Sequence, residues 1–234
     1  MTKHIGLVGV SPEGAALCMR QISRQAARLL PPHLHPRITL HNEPLAAYID
    51  AIRNNDWHGV GDLLRRSAQV LAQAGAEFCL TPDNAVQYAI HLAEHDSPIP
   101  WVGIPDLVAE AVVREGRKVV GLIGTKWVML GAAYQTQLGL RGIRVLVPEA
   151  ADVEHLDRII VGELIYGKVR PESVETALRI IRKLAEMGCE GVILGSSEVP
   201  LLVTAENCPL ARYDTGDLLA EQAVRFAMSG GESR

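Results

Sequence analysis

The sequence predicts an α/β fold built from two similar domains, each with a parallel β-sheet. Short apolar segments alternate with longer amphipathic ones along the 234 residues, a pattern typical of parallel strands joined by helices. Two stretches of the chain also recur, which indicates that one α/β unit has been duplicated. Each recurring apolar run ends in a polar cluster, TPDN in the first half and GSSE in the second. Ligands bind at such strand ends in parallel sheets.

The predicted strands are short apolar runs, and they cover residues 5–10, 37–41, 77–81, 101–103, 119–124, 144–147 and 191–195. The predicted helices between them cover residues 14–30, 57–74, 105–115, 153–166 and 171–187. In the last of these, Val174, Ala177, Leu178 and Ile181 recur at helical spacing. This spacing predicts a helix that packs one apolar face on a sheet.

The internal repeat aligns residues 71–86 with residues 184–199 at a constant offset of 113. The identical pairs are Leu71 and Leu184, Ala72 and Ala185, Gly75 and Gly188, Glu77 and Glu190, and Val86 and Val199. GLVG at 6–9 matches GLIG at 121–124 at nearly the same offset. In this register Asp83 and Ser196 are equivalent, each just past a strand, so we expect one polar side chain from each half to approach a common ligand.

Composition and charge exclude several classes of protein. The net charge is −4, only 4% of residues are aromatic, and no basic stripe is visible, all of which disfavour nucleic-acid binding. No window approaches the roughly 20 apolar residues of a membrane helix, and the first residues lack the pattern of a signal peptide. We therefore expect a cytoplasmic protein that binds a small molecule.

The sequence predicts no metal site and no cofactor. HExxH and CxxC spacings are absent, and the four cysteines are far apart, at Cys18, Cys79, Cys189 and Cys208. We expect them to be free thiols, with Cys79 and Cys189 buried. GLVGVSPEG satisfies neither GxGxxG nor GxxxxGK[ST], which makes a nucleotide site unfavourable.

Several loop residues have both a structural and a functional interpretation. Ser11 precedes a predicted helix whose free N–H groups could hold a carboxylate, or it is a plain helix N-cap. Thr125 repeats this position in the second half. Lys168 follows Gly167, a typical C-cap glycine, and by itself is most often a solvated cation. Asp83, Ser196 and Ser197 suit turns and caps equally well, but their pairing in a repeat favours a two-sided site.

Taken together, the motifs resemble the aspartate/glutamate racemase family of cofactor-independent amino-acid racemases. The matching segments, in family order, are IGLVGVSPEG, GAEFCLTPDNA, LIGTKWVM, VPEA, GELIYGK, GVILGSSEVPLL and YDTGDLLAEQAV. The resemblance implies two pseudo-symmetric α/β domains with the active site in the cleft between them. It implies a first domain of residues 1–99 plus 207–234, a second of 100–206, and a homodimer.

In that family one cysteine from each domain moves the α-proton, one on each face of the substrate carbon. The positions that match those cysteines here carry Asp83 and Ser196. Gln87 and Leu219 stand where the family often has histidines. The resemblance further implies substrate contacts for Ser11, Asn84, Ala85, Thr125, Lys168 and Ser197, and supporting roles for His41, Glu198 and Asp214.

A carboxylate and a hydroxyl form an unequal acid/base pair. A carboxylate is a competent general base, whereas a serine is a poor acid or base without an activating group, and no histidine is placed by motif to supply one. An ionised Asp83 beside an acidic substrate is also unfavourable unless the substrate places a cationic or neutral group there. Three functions remain open: an isomerase acting on a small amino or carboxylic acid, a lyase or decarboxylase on the same scaffold, and a non-catalytic carboxylate-binding protein.

Overall fold

The chain divides into two compact units, each with its own four-stranded sheet. The computed structural model describes residues 2–229. Within them, the first unit contains the residues up to Gly103 and those from Leu219 onward, and the second unit contains Ile104–Leu218. The predicted α/β class with two parallel sheets is confirmed.

The first unit alternates strands and helices from the start of the chain. Its elements are β1 (Ile5–Gly9), α1 (Pro12–Leu29), β2 (Ile38–Asn42), α2 (Leu45–Arg53), α3 (Trp57–Gln73), β3 (Phe78–Leu80), a 3₁₀ turn (Gln87–Ala89), α4 (Ile90–Glu94) and β4 (Trp101–Val102). Two helices begin at side-chain caps. Ser11 Oγ accepts a 2.8 Å hydrogen bond from the Gly14 N–H, and Asp56 Oδ1 accepts one of 2.8 Å from the Gly59 N–H.

The second unit repeats this alternation. Its elements are α5 (Ile104–Arg114), β5 (Val119–Gly124), α6 (Lys126–Met129), α7 (Ala133–Gly139), β6 (Arg144–Leu146), α8 (Ala150–Gly162), a 3₁₀ turn (Leu164–Tyr166), α9 (Pro171–Glu186), β7 (Gly191–Gly195), a 3₁₀ turn (Val199–Leu201), β8 (Ala211–Asp214) and α10 (Thr215–Met228). The end of α10 belongs to the first unit, where the Phe226 ring meets the Phe78 ring at a centroid distance of 4.7 Å.

Both sheets have the same strand order and the same direction. The first runs β2-β1-β3-β4 and the second β6-β5-β7-β8, with every pair parallel. The central strands β1, β3 and β7 are buried along their whole length. The identical order supports the duplication inferred from the sequence, because β1, β2, β3 and β4 correspond one by one to β5, β6, β7 and β8.

The repeated glycines adopt the same backbone conformation in each unit. Gly75 and Gly188 adopt φ of 89° and 92°, a left-handed conformation that favours glycine over residues with a Cβ. The residue after each closes the helix in the same way. Ala76 N–H donates to Leu71 O at 2.9 Å, and Cys189 N–H donates to Leu184 O at 3.1 Å. These two turns therefore end α3 and α9 alike and lead into β3 and β7.

The repeated glutamates also make matching bonds. Glu77 Oε1 accepts a 2.9 Å hydrogen bond from the His4 N–H, at the entrance to β1. Glu190 Oε2 accepts from the N–H groups of Lys118 and Val119 at 2.6 and 3.1 Å, at the entrance to β5. Each carboxylate thus joins the start of one strand to the start of its neighbour, which explains why a charged residue recurs in this apolar motif.

Several elements differ from the sequence predictions. The strand β8 and the helices α2 and α7 were not predicted, and α8 begins at Ala150 and ends at Gly162. The chain was expected to return to the first domain at residue 207. Because β8 pairs with β7, the residues just after 207 lie in the second unit instead, and the return falls at Leu219. The first crossing lies between Gly103 and Ile104, close to the predicted position near residue 100. Among the helices of residues 2–229, none has the length and apolar character needed to cross a bilayer.

Candidate functional site

In the first unit, three predicted site residues lie where adjacent strands end. Ser11 follows β1, His41 is the fourth residue of β2, and Asp83 follows β3. The register pairs Val8 with His41 and Leu7 with Leu80. Because β1, β2 and β3 are parallel neighbours, their carboxyl ends share one edge of the sheet, and these polar residues are collected there.

The loop after β3 holds Asp83 by several hydrogen bonds. Asp83 Oδ1 accepts a 2.9 Å hydrogen bond from the Ala85 N–H, a turn of the kind that aspartate commonly forms. Gln87 Nε2 donates to the carbonyl oxygens of Thr81 and Asp83 at 3.1 and 3.0 Å. Asp83 is half-buried and Asn84 is buried. Asp83 therefore forms the turn that its structural interpretation expected. Ala85 was predicted to contact the substrate, but its backbone N–H is already bonded to the Asp83 carboxylate.

Ser11 and His41 are also held by neighbouring groups. The Ser11 hydroxyl caps α1, as one of its two interpretations expected. His41 Nδ1 lies 3.1 Å from the Ser67 hydroxyl of α3, and Ser67 is fully buried. This bond fixes the His41 ring at the sheet edge and is compatible with the supporting role expected for it.

Tyr48 is a buried polar side chain that the sequence did not single out. It lies in α2 and is fully buried. Burial raises the pKa of Tyr48, its interaction with the Ser67 side chain lowers it in part, and the negative charges of Asp83 and Glu43 raise it again, so the hydroxyl stays protonated. Nothing in the sequence could have identified this residue, because a tyrosine in an amphipathic helix is usually part of the core.

In the second unit, the loop after β7 forms a compact cluster of two hydroxyls and a carboxylate. Ser196 and Ser197 both donate to Glu198 Oε2, at 2.8 and 3.1 Å. All three side chains are buried. The backbone N–H of Glu198 also donates to Ser196 Oγ at 3.4 Å. A carboxylate two residues away in the chain therefore lies within hydrogen-bond distance of the Ser196 hydroxyl.

Thr125 follows β5, at the same sheet edge as Ser196, because Gly124 and Gly195 are register partners. Its hydroxyl oxygen is buried and has no hydrogen-bond partner within residues 2–229. The first amide of α6, that of Lys126, donates to Asp157 Oδ1 at 2.9 Å. The helix start is therefore partly occupied by an internal carboxylate, and a substrate contact for Thr125 stays a prediction.

Asp214 ends β8 and caps α10. Its Oδ1 accepts hydrogen bonds from the N–H groups of Gly216 and Asp217 at 3.0 and 3.1 Å. Burial raises the pKa of Asp214, and the charge of Asp217 adds to this shift. These contacts cap the helix, and a supporting role for Asp214 in the site stays a prediction.

Lys168 follows the 3₁₀ turn Leu164–Tyr166 of the second unit. It is exposed, follows Gly167 with φ of 67°, and its Nζ is 5.9 Å from the centroid of the Tyr166 ring. Gly167 is thus the C-cap glycine that the sequence predicted. The solvated-cation interpretation fits these contacts, and a role in substrate binding stays a prediction.

All four cysteines are free thiols, as the sequence predicted. Cys79 and Cys189 are buried, as expected, and burial raises the pKa of both thiols and that of Cys208. Within residues 2–229, no group of three or more His, Cys, Asp and Glu side chains is placed to hold a metal ion.

The fold and the polar strand ends define a class of protein, the duplicated parallel α/β proteins with a polar loop after the third strand of each sheet. A sequence model described as Asp/Glu/Hydantoin racemase matches residues 7–223. The solved structure of an aspartate racemase homologue from Pyrococcus horikoshii is 27% identical, has a TM-score of 0.83, and covers 97% of this chain and 99% of its own. The chain belongs to the Asp/Glu/hydantoin racemase family.

Two curated relatives are similar over part of their length. A glutamate racemase from Pseudomonas aeruginosa is 31% identical over 173 residues, and one from Herpetosiphon aurantiacus is 27% identical over 174 residues. The matched regions cover 71% and 70% of this chain. They cover only 61% and 65% of the relatives, so the chain spans less than two thirds of either enzyme.

Proposed function

We propose that this chain is a cofactor-independent isomerase that moves the α-proton of a small amino acid or related carboxylic acid. Asp83 and Ser196 would be its acid/base pair. One observation carries the proposal: at equivalent strand ends, one unit presents the Asp83 carboxylate and the other presents a serine bonded to the buried Glu198 carboxylate. Family membership and the names of the two glutamate racemases support the same chemistry.

Glu198 gives Ser196 a way to act both as acid and as base. A proton on Glu198 can pass to the Ser196 oxygen while the Ser196 proton passes to the substrate carbon, which leaves Glu198 ionised. In the reverse direction, Ser196 takes the α-proton and gives its own proton to Glu198. Asp83 takes or returns the proton on the opposite face. The pair is then able to work in both directions, as racemisation requires.

The remaining predicted contacts fit the binding of a carboxylate. The Thr125 hydroxyl lacks a partner within the described residues, and Asn84 lies next to Asp83. Ser11, Ser197 and Lys168 would complete the set. A homodimer is part of the proposal, and light scattering on a sizing column tests it.

A lyase or decarboxylase is the second candidate, because the two reacting side chains are chemically unequal. Asp83 is a carboxylate held by a turn, whereas Ser196 works only through Glu198. An enzyme that protonates a single face needs no matched pair. The third possibility, a binding protein that holds carboxylates without chemistry, requires only the polar contacts.

Solvent deuterium distinguishes the three. Each enantiomer of aspartate and glutamate is incubated with the protein in heavy water, and loss of the α-hydrogen signal is followed by NMR. We expect exchange at the α-carbon, accompanied by the opposite enantiomer. New products without exchange in the recovered substrate would favour the lyase. Thermal stabilisation by an amino acid that is never exchanged or converted would leave only the binding protein.

A further inference from the structure

The interior of the first unit contains a hydroxyl whose hydrogen-bonding capacity is unused. Tyr48 is fully exposed to neither solvent nor a partner: its side chain is 0% exposed, and its oxygen has no hydrogen-bond partner within residues 2–229. Leaving a buried hydroxyl unbonded is unfavourable by about 1–3 kcal/mol. Native structures rarely keep such a group without a reason.

The neighbouring polar groups do not explain it. The closest candidate is the Ser67 hydroxyl, but Ser67 Oγ is bonded to His41 Nδ1 at 3.1 Å, and it does not meet hydrogen-bond geometry with Tyr48. Both Ser67 and Tyr48 are fully buried, in α3 and α2. His41 fixes this cluster at the carboxyl edge of the sheet, where Asp83 also lies.

Charge relates Tyr48 to Asp83. The Asp83 carboxylate is close enough to raise the pKa of Tyr48, and Glu43 acts in the same direction. The hydroxyl therefore remains a neutral donor near a carboxylate. A ligand that suits both groups has an oxygen that accepts a hydrogen bond and a positive group that offsets the charge of Asp83. An α-amino acid has both, on adjacent atoms, whereas a plain dicarboxylic acid has only the oxygen.

We propose that the Tyr48 hydroxyl is a ligand-binding group that donates a hydrogen bond to a carboxylate oxygen of an α-amino acid whose ammonium group faces Asp83. The inference rests on the proposed function, since it places the ligand at the Asp83 loop, and it narrows the substrate class to amino acids. It predicts a conflict between stability and binding: the hydroxyl destabilises the empty protein and strengthens the complex.

The variant Tyr48→Phe tests this conflict. It removes the unbonded oxygen and keeps the ring, so we expect the melting temperature to rise by about 2–4 °C. The matched control is Tyr213→Phe. Tyr213 is also buried, but its hydroxyl donates to Glu115 Oε2 at 3.0 Å, so this variant should melt at a lower temperature than the wild type.

Ligand binding is measured on the same proteins by calorimetry with the enantiomers of aspartate and glutamate, and with succinate and glutarate. We expect one of the amino acids to bind, the two dicarboxylates to bind at least about tenfold more weakly, and Tyr48→Phe to weaken the amino acid by about tenfold. Tyr213→Phe should leave the affinity unchanged.

Three results would overturn the inference. Tyr48→Phe could melt lower, as Tyr213→Phe does, which would show that the hydroxyl is bonded inside the protein. The affinity could stay the same in Tyr48→Phe, or none of the amino acids could bind better than the dicarboxylates. If an amino acid binds through Tyr48 but shows no α-hydrogen exchange in heavy water, the inference stands and the proposed isomerase chemistry fails.

Discussion

The Ser196 hydroxyl donates a 2.8 Å hydrogen bond to Oε2 of Glu198, and both side chains are buried. Ser197 donates to the same oxygen at 3.1 Å. The two serines are therefore neighbours with the same chemistry, burial and acceptor. They differ in position, since only Ser196 is equivalent to Asp83 in the internal repeat.

This arrangement predicts different effects for two otherwise similar substitutions. Ser196→Ala should slow α-hydrogen exchange by at least about 100-fold, because it removes the group that passes protons to and from Glu198. Ser197→Ala removes a proposed substrate contact and a second donor to Glu198 but keeps the proton-passing hydroxyl, so at saturating substrate it should slow exchange far less. Each variant loses one hydrogen bond to a carboxylate, so we expect both to lose about 1–3 kcal/mol of unfolding free energy.

The comparison uses the α-hydrogen exchange rate from NMR and the unfolding free energy from urea titration, each measured on the wild type, Ser196→Ala and Ser197→Ala. Ser197→Ala corrects for the structural cost of removing a buried hydroxyl. Equal exchange rates in the two variants would assign the serines a structural role only.

Asp83→Asn should abolish exchange and leave ligand binding and stability close to those of the wild type. An asparagine keeps an oxygen that can accept the Ala85 N–H, so the turn is preserved while the base is lost. Calorimetry would measure binding, and heavy-water NMR would measure exchange. Near wild-type exchange in this variant would show that Asp83 is not the base.

The general fold was predictable from the sequence because its signals are local. The helix ends are marked by Gly75 and Gly188, whose turns involve residues close in the chain. The strand starts are bonded by Glu77 and Glu190, whose partners lie at the start of the adjacent strand. The repeat made these signals visible twice. The strand β8 was missed because it is four residues long and contains Arg212, so its sequence ARYD lacks an apolar run.

The candidate site was predictable in its members but not in its contacts. Ser196, Ser197 and Glu198 were all identified from the sequence. That both serines donate to the same oxygen of Glu198 depends on how the loop turns into the 3₁₀ segment Val199–Leu201, which the sequence does not specify. Tyr48 was missed for a different reason. It lies in the amphipathic helix α2, where a buried tyrosine cannot be distinguished by pattern from an ordinary core residue.

Gln87→Ala should loosen the loop that carries Asp83. Gln87 Nε2 bonds two carbonyl oxygens of that loop, and the side chain is buried. Its loss leaves both oxygens without this donor, so we expect a destabilisation of about 1–3 kcal/mol and slower exchange. Gln69→Ala is the control, since Gln69 is exposed on α3 and should have almost no effect. Equal unfolding free energies in the two variants would contradict the role of Gln87.

His4 should make the first unit sensitive to acid. Burial lowers the pKa of His4 below its usual value of 6.5, and the charge of Arg37 lowers it further. The neutral ring is favoured in the folded state, so its stabilising contribution is present above pH 6.5 and is lost as the pH falls through the lowered folded-state pKa. Urea unfolding between pH 7.5 and about pH 5 should show a declining free energy in the wild type and a smaller decline in His4→Gln. His58→Asn is the control at an exposed position and should follow the wild type. If His4→Gln instead declines as steeply as the wild type, other groups cause the acid sensitivity, and the buried ring contributes nothing to it.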